Sequence, residues 1–192
     1  MNLDAEHEEM LRRVGRHPDQ IAARAANWAK ARKMIRKPVA RWPAFDPKWD
    51  CDEASFYLSL DGESQESFNS LYPQGVCCSE VDLSELDRRL CALSQRSATE
   101  IWGFDDAKVA EAIRFWAEGG EMTPPMIVLV EGTSELHVAG GNNRLSVVRA
   151  KGVARIKILV RRDELAVVKD LLPSLREDTP TAGQEEAGVL AK

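Results

Sequence analysis

The sequence predicts a single α+β domain that carries a helical extension at its N-terminus. Of its 192 residues 44% are apolar, which is enough for one hydrophobic core of ordinary size. Val109, Ile113 and Trp116 recur at helical spacing. Further along the chain the period changes to that of strands, with a continuous apolar run at 126–130 and an alternating run at 154–160. Both kinds of element therefore contribute to one core.

The first 50 residues form a basic extension. Helices are expected at 4–15 and 18–36, and Pro18 stands near the start of the second. The outer face of this helix and the residues after it are basic (Lys30, Arg32, Lys33, Arg36, Lys37 and Arg41). Two interpretations stay open, contact with nucleic acid and a solvated or partner-binding face. Prolines then predict an extended strap at 42–49 whose two tryptophans pack on the main domain.

The middle of the chain has weaker signals. Residues 56–60 read as a strand ended by Asp61-Gly62, and residues 62–79 as an irregular polar surface loop. Residues 80–83 predict a short second strand or the start of a helix, and residues 84–90 can form about two helical turns.

The back half has the clearest pattern. Asp105 or Asp106 caps a helix that ends at Gly119-Gly120. The elements expected after it are a hairpin of strands 126–130 and 136–139, a helix at 142–150, a strand at 154–160, a helix at about 163–171, and a disordered tail from Pro173.

Charge is distributed unevenly along the chain. The net charge of −5 argues against a protein that coats nucleic acid nonspecifically, yet residues 50–100 carry 11 acidic and only 3 basic residues. In contrast, the segment 144–162 contains seven basic residues and no acidic one. This segment predicts a local field that attracts phosphate.

No apolar run reaches the length of a membrane span, and the N-terminus lacks the pattern of a secretory signal. We therefore expect a cytoplasmic protein with no membrane partner. The four cysteines have no metal-ligand spacing, which predicts thiols without a structural metal in a reducing compartment.

The most informative segment joins a strand to a helix through two glycines, Gly140 and Gly141, followed by Asn142, Asn143 and Arg144. Glycines allow a sharp turn and a close approach of ligand to backbone, and exposed amides at a helix start attract anions. Arg144 adds donors suited to phosphate. An alternative interpretation is that the glycines only pack the helix on the sheet. The segment lacks the residues of a Walker loop or a dinucleotide fingerprint.

The order of elements resembles the ParB/sulfiredoxin superfamily over about residues 80–162. The shared features are a helix, Gly119-Gly120, Pro124-Pro125, an apolar strand, a hairpin, Gly140-Gly141-Asn142-Asn143-Arg144, a helix, Gly152 and an alternating strand. Gln95-Arg96 and Glu100 fall where the family often has an arginine-bearing turn and an acidic residue. The resemblance implies a compact fold with a small mixed sheet flanked by helices. The sequence pattern divides the chain into an extension and strap at 1–50, a domain at 51–172 that contains the resembling segment, and a tail at 173–192.

The resemblance also implies a nucleotide-binding domain with NTPase and DNA nuclease activity. ATP or CTP with Mg²⁺ would bind through the turn, at Gly140, Gly141, Asn142, Asn143 and Arg144. In the mechanism expected from this, Glu100 would bind the metal or act as the general base, Arg96 would offset charge in the transition state, and Arg144 would hold phosphates. Glu100 could equally cap the start of a helix. DNA would contact Arg149, Lys151 and Arg155.

Departures from the family pattern narrow the function. Sulfiredoxins have Cys-His where this chain has Asn142-Asn143, so sulfinic-acid reduction is not expected. The chain after the last strand is too short for the DNA-binding and dimerisation segments of partition proteins. The remaining relatives are stand-alone domains of plasmids and mobile elements, including fertility-inhibition proteins that resemble the oncogenic-suppression protein. Expected partners are a nucleotide, DNA, a component of conjugation or secretion, and a second copy of the chain.

Because amides do not titrate, Asn142 and Asn143 remove proton shuttles that the family histidines supply. The alternative function is therefore a non-catalytic DNA- or protein-binding regulator that retains the nucleotide-binding turn.

Overall fold

The computed structural model describes residues 18–97, 99–103 and 105–178, and its architecture is α+β, as the sequence predicts. The α-helices of this part are α1 (Pro18–Ala31), α2 (Gln65–Leu71), α3 (Leu83–Arg89), α4 (Asp106–Ala117), α5 (Asn142–Ala150) and α6 (Leu165–Leu171). Its strands are β1 (Lys48–Trp49), β2 (Val76–Asp82), β3 (Glu121–Met122), β4 (Met126–Leu129), β5 (Leu136–Gly140), β6 (Arg155–Arg161) and β7 (Arg176–Glu177). The helix expected at 4–15 lies outside the described residues.

The main sheet has five strands in the order β5-β4-β6-β2-β7. The β4–β6 pair is parallel, and the other three pairs are antiparallel. Between β4 and β6 the chain forms β5 and then α5, so the turn that joins β5 to α5 lies at the start of the crossover. The sheet is therefore small and mixed. Within the described residues, no helix is long and apolar enough to cross a membrane.

The elements after residue 105 follow the predicted order. The Asp105 carboxylate accepts a hydrogen bond from the Lys108 N–H at 2.9 Å and caps α4. The β4–β5 hairpin is confirmed, as are α5 and β6. These elements contribute many residues to the main hydrophobic core. Ile113, Trp116 and Leu145 are almost completely buried in it.

The predicted strap also forms and packs as expected. Strand β1 pairs in parallel with β3, and Trp49 meets the Trp116 ring edge to face at 5.3 Å between centroids. Trp42 is buried, and its indole nitrogen donates to the Lys37 carbonyl oxygen at 2.9 Å. The tryptophans thus attach the N-terminal segment to α4 and its neighbours.

Two predictions in the middle of the chain are wrong. Residues 53–59 form a 3₁₀ helix instead of a strand, because the Asp52 carboxylate caps the Ala54 N–H at 3.0 Å. Phe56 and Ser59 are buried at a spacing of three, whereas Leu58 is 56% exposed. A strand would have placed residues 56 and 58 on the same face.

The segment predicted as a surface loop contains α2 and most of β2. Ser64 caps α2 by accepting from the Ser67 N–H at 3.1 Å. Strand β2 begins at Val76, four residues before the predicted start, and pairs with β6 along its whole length. It lies between β6 and β7 and is buried on both faces at its start, so its sequence does not alternate.

Two further differences concern the tail and the cysteines. Residues 176–177 pair with β2 as β7, so the first part of the predicted disordered tail belongs to the sheet, and residues 179–192 lie outside the described residues. Cys51 and Cys78 form a disulfide with a Cα–Cα distance of 5.9 Å, which corrects the expectation of four free thiols. Cys77 and Cys91 are free and buried.

Candidate functional site

The turn between β5 and α5 has the backbone geometry that its glycines suggest. Gly141 has a φ of +87° and precedes the first residue of α5. No side chain caps this helix start, and no acidic residue lies in its first turn. The first turn closes when the Leu145 N–H donates to the Gly141 carbonyl oxygen at 3.0 Å.

Close packing explains why both positions of the turn are glycine. A Cβ atom at Gly140 would overlap the carbonyl oxygen of Ser59. One at Gly141 would lie 2.8 Å from the Cα of Pro125. The turn is therefore covered by the 53–59 helix on one side and by the segment before β4 on the other. The packing interpretation left open by the sequence accounts for both glycines.

Arg144 directs its guanidinium group at protein carbonyls. Its Nη2 donates to the Ser59 oxygen at 3.0 Å and its Nη1 donates to the Thr123 oxygen. Burial lowers the pKa of Arg144 to about 10, which still leaves the group charged at neutral pH. Two of its donors thus hold the 53–59 helix and the β3–β4 connection against α5.

The two asparagines of the turn lie partly buried. The Asn142 Nδ2 donates to the Val138 oxygen at 3.3 Å, and its Oδ1 is buried without a hydrogen-bond partner. The Asn142 carbonyl oxygen accepts from the Ser146 hydroxyl at 3.0 Å. Asn142 therefore contributes to the local fold of α5 and β5.

Arg149 is buried and forms an ion pair with Asp87. It is only 7% exposed, and its Nε and Nη2 donate to one oxygen of Asp87 at 2.8 and 2.6 Å. This ion pair joins the last turn of α5 to α3. The remaining terminal nitrogen, Nη1, is buried and has no hydrogen-bond partner among the described residues. A buried charged donor without an acceptor costs free energy, so this nitrogen favours an added acceptor oxygen.

A cleft of about 400 Å³ opens beside this ion pair, and we call it the Arg149 cleft. It is lined by Asp87, Gln95, Arg96, Ser97 and Arg149. An adjoining cleft of about 550 Å³ shares Asp87, Arg96 and Arg149 and extends along Leu83, Ser84 and the Gly152–Ala154 segment. Two of the predicted functional arginines, Arg96 and Arg149, therefore lie at the same place in the fold.

The predicted catalytic residues are distributed over two regions. Arg96 lines both clefts, and its Nη1 donates to the carbonyl oxygens of Leu93 and Gln95 at 3.3 Å each. Glu100 is exposed in the same loop, where its N–H donates to the Ser97 oxygen at 3.2 Å. Arg144 is bound to Ser59 and Thr123 and does not line either of these clefts.

The other two predicted DNA contacts are bound within the protein. The Lys151 ammonium donates to the Phe45 oxygen at 2.5 Å and lies 3.9 Å from the centre of the Phe45 ring. Arg155 forms ion pairs with Glu80 at 3.0 Å and Asp82 at 2.5 Å. Both side chains therefore connect α5 and β6 to neighbouring segments.

The whole basic segment 144–162 has internal partners. Arg144 and Lys151 bind carbonyl oxygens, and the other five residues pair with carboxylates: Arg149 with Asp87, Arg155 with Glu80 and Asp82, Lys157 with Asp178, Arg161 with Asp163 and Glu164, and Arg162 with Glu53. Four of the eleven acidic residues of 50–100 thus pair with this segment. These pairings reduce the positive field that the segment was expected to present to phosphate.

A divalent metal has no assembled ligand set around Glu100. Within the described residues, the one group of three potential ligands is Cys51, Cys78 and Asp178, and two of these are joined as the disulfide. Sequence reasoning missed Asp87, Gln95 and Ser97 as members of a cleft. Only the Gln95-Arg96 pair carried a signal, through its place in the resemblance.

Comparison of the chain with protein-family models, with curated proteins and with solved structures gives no match.

Proposed function

We propose that this chain is a nucleotide-binding regulator that holds the phosphate groups of ATP or CTP in the Arg149 cleft. The observation that carries the proposal is the buried guanidinium group of Arg149, whose Nη1 has no acceptor, on the wall of a cleft that Arg96 also lines. Arginine is the side chain best suited to phosphate, because it offers several charged donors in one plane.

The composition of the cleft supports an anionic ligand. Arg96 and Arg149 carry two positive charges against the single carboxylate of Asp87, while Gln95 and Ser97 supply neutral donors. The volume of about 400 Å³ is in the range of small-molecule sites. The preference for a nucleotide rests on the resemblance of residues 80–162 to the ParB/sulfiredoxin superfamily.

Two observations favour regulation over hydrolysis. Arg144 has two of its donors on protein carbonyls, and Arg155 and Arg162 are paired with carboxylates. These side chains would have to break internal contacts before they could contact DNA. We therefore include neither nuclease activity nor DNA contact at Arg149, Lys151 and Arg155 in the proposal.

Calorimetric titration with ATP and with CTP, each with and without Mg²⁺, tests this function. We expect saturable binding of at least one nucleotide. Because Arg96 supplies a charge-assisted contact, Arg96→Gln should weaken binding by about tenfold, which corresponds to about 1.4 kcal/mol. Arg32→Gln changes an exposed arginine of the basic extension and is the matched control, with an affinity equal to that of the wild type.

If the protein binds neither ATP nor CTP, the proposal is overturned. Equal losses in Arg96→Gln and Arg32→Gln would do the same, since they would indicate a nonspecific effect of net charge.

A hydrolytic function is the second candidate, and one observation favours it. Glu100 follows the cleft residue Ser97 in one turn, so a carboxylate lies on the loop that supplies Arg96. If this loop performs NTP hydrolysis, purified protein should release phosphate from ATP or CTP in Mg²⁺, and Glu100→Gln should abolish release while nucleotide binding persists. Binding without phosphate release in the wild type would leave regulation as the function.

A further inference from the structure

The two free cysteines are equally buried but have different neighbours. Cys77 is 8% exposed and Cys91 is 7% exposed, so solvent access alone does not distinguish them. The Cys77 Sγ lies 3.5 Å from the Val160 carbonyl oxygen, which can only accept a hydrogen bond. Burial raises the pKa of the Cys77 thiol, because the thiolate would lose solvation in this place.

Cys91 lies in a cluster with Ser94 and His137, which we call the Cys91 cluster. Its Sγ is 3.6 Å from the His137 Nδ1 and 3.8 Å from the Ser94 Oγ. The Ser94 Oγ is 2.8 Å from the same ring nitrogen. Backbone contacts hold these groups in place, since the Cys91 N–H donates to the Leu136 oxygen at 2.8 Å and the Ser94 N–H donates to the Cys91 oxygen at 2.9 Å.

The hydrogen bonds of this cluster accommodate loss of the thiol proton. The Ser94 Oγ accepts from the Val138 N–H at 2.9 Å, so its own hydrogen is available to a second partner. With a neutral ring, that hydrogen is donated to the His137 Nδ1. When the thiol proton moves to Nδ1, the ring donates to the Ser94 Oγ, and the hydroxyl can turn its hydrogen toward the Cys91 sulfur. Each polar group therefore keeps a partner in both states.

We infer that Cys91 is a nucleophilic thiol, activated by His137 and Ser94, and is the preferred site of covalent modification by small electrophiles. With iodoacetamide, the thiol proton passes to His137, the sulfur attacks the methylene carbon, a C–S bond forms, the C–I bond breaks and iodide leaves. A cysteine next to an imidazole is the usual arrangement for thiol nucleophiles. This inference does not depend on nucleotide binding.

Limited alkylation of the native protein tests the inference. Iodoacetamide is added at neutral pH, and the rates at Cys91 and Cys77 are read from the peptides by mass spectrometry. We expect Cys91 to react at least about tenfold faster than Cys77, since the two thiols have equal exposure and only Cys91 has a base. The Cys77 rate should keep rising as the pH is raised above neutral, because burial raises the pKa of that thiol.

His137→Asn supplies the decisive variant, because an amide can bind Ser94 but cannot take up the proton. We expect the Cys91 rate to fall to that of Cys77, while the Cys77 rate stays unchanged and reports that the fold is intact. Equal rates at the two cysteines in the wild type would overturn the inference. An unchanged Cys91 rate in a folded His137→Asn protein would also overturn it.

Discussion

Arg149 places a buried charge beside the cleft, and one of its nitrogens has no hydrogen-bond partner within the described part of the chain. Asp87 binds Nε and Nη2 through one oxygen, and the Asp87 side chain is 38% exposed. The two members of this pair thus differ in solvation. When its partner is removed, the carboxylate can be hydrated more fully than the guanidinium, because the Asp87 side chain is 38% exposed and the Arg149 side chain only 4%.

This difference predicts unequal effects of two substitutions on stability. Asp87→Asn leaves a buried cation without a counter-charge, and we expect it to lower the free energy of unfolding by about 2 kcal/mol. Arg149→Met removes the buried charge and fills its place with an apolar chain, so the loss should be smaller. Urea denaturation of both variants measures the difference. A larger loss for Arg149→Met would contradict the account of this ion pair.

Gly140 and Gly62 require glycine for different reasons: Gly140 has no room for a side chain, whereas Gly62 has a positive φ. A Cβ at Gly140 would overlap the Ser59 oxygen, so Gly140→Ala should lower the free energy of unfolding by about 2–3 kcal/mol. Gly62 has a φ of +81° and open space around it, so Gly62→Ala should cost only the backbone strain of about 1 kcal/mol. Thermal unfolding of the two variants compares them. Equal losses would mean that the turn tolerates a side chain at position 140.

At the scale of the elements, the helices and strands that could be predicted from sequence are those whose apolar residues repeat at a clear helical or strand spacing. Helix α4 and the β4–β5 hairpin could be predicted because their apolar residues show one period and their ends carry capping or turn residues. The 53–59 helix was missed because Phe56 to Leu60 has the composition of a strand, and only the Asp52 cap and the burial of Ser59 reveal the turn.

The first part of strand β2, residues 76–79, was missed because its cysteines and Ser79 do not resemble a strand, although all are buried between β6 and β7. For the candidate site, the sequence indicates Arg96 and Arg149 as functional residues. It does not reveal that they share a cleft, because Asp87 and the loop 95–97 meet α5 only through the tertiary fold.

Helix α3 and the Ser174 turn before β7 are joined by a pH-dependent contact. The Ser174 hydroxyl donates to the Glu85 carboxylate, as does the Ser174 N–H at 2.9 Å. These bonds, the hydroxyl first, lower the pKa of Glu85 from its ordinary 4.5. Because the folded protein holds this proton less tightly than the unfolded chain, the contact stabilises above about pH 4.5 and is lost as pH falls through the folded pKa.

We therefore expect Glu85→Gln to be less stable than the wild type at pH 7, with a difference that shrinks below pH 4.5. Denaturant unfolding of both proteins at a series of pH values measures this. A difference that stays constant from pH 7 to pH 3 would exclude linkage to the Glu85 proton.

At the scale of the whole molecule, the uneven charge of the chain is matched within the fold. The acidic residues 50–100 supply partners for three basic residues of 144–162, through Glu53, Glu80, Asp82 and Asp87. The net charge of −5 is therefore a sum over the whole chain and does not give the charge of any particular surface. These pairings leave the segment 144–162 with little unpaired positive charge, which argues against broad contact of this segment with DNA.

The disulfide joins the end of the strap to the central part of the sheet. Cys51 and Cys78 are 27 residues apart, and closing a loop of this length stabilises a fold by about 3–4 kcal/mol in the chain-entropy description. We expect a reducing agent to lower the urea midpoint of the wild type. Cys51→Ser, which cannot form this bond, should have the lower midpoint with or without reductant. If the urea midpoint of the wild type is the same with and without the reducing agent, the disulfide has no structural role.

The central claim is that nucleotide phosphates bind at Arg149 and Arg96 and not at the glycine turn. NMR signals of the arginine Nε–H groups, followed during titration with ATP and with CTP, test it most directly. We predict saturable shifts of the Arg149 and Arg96 signals, with the Arg144 signal unchanged because that side chain stays on the Ser59 and Thr123 oxygens. Shifts confined to Arg144 and the Gly141 amide, or the absence of any shift, would contradict the claim.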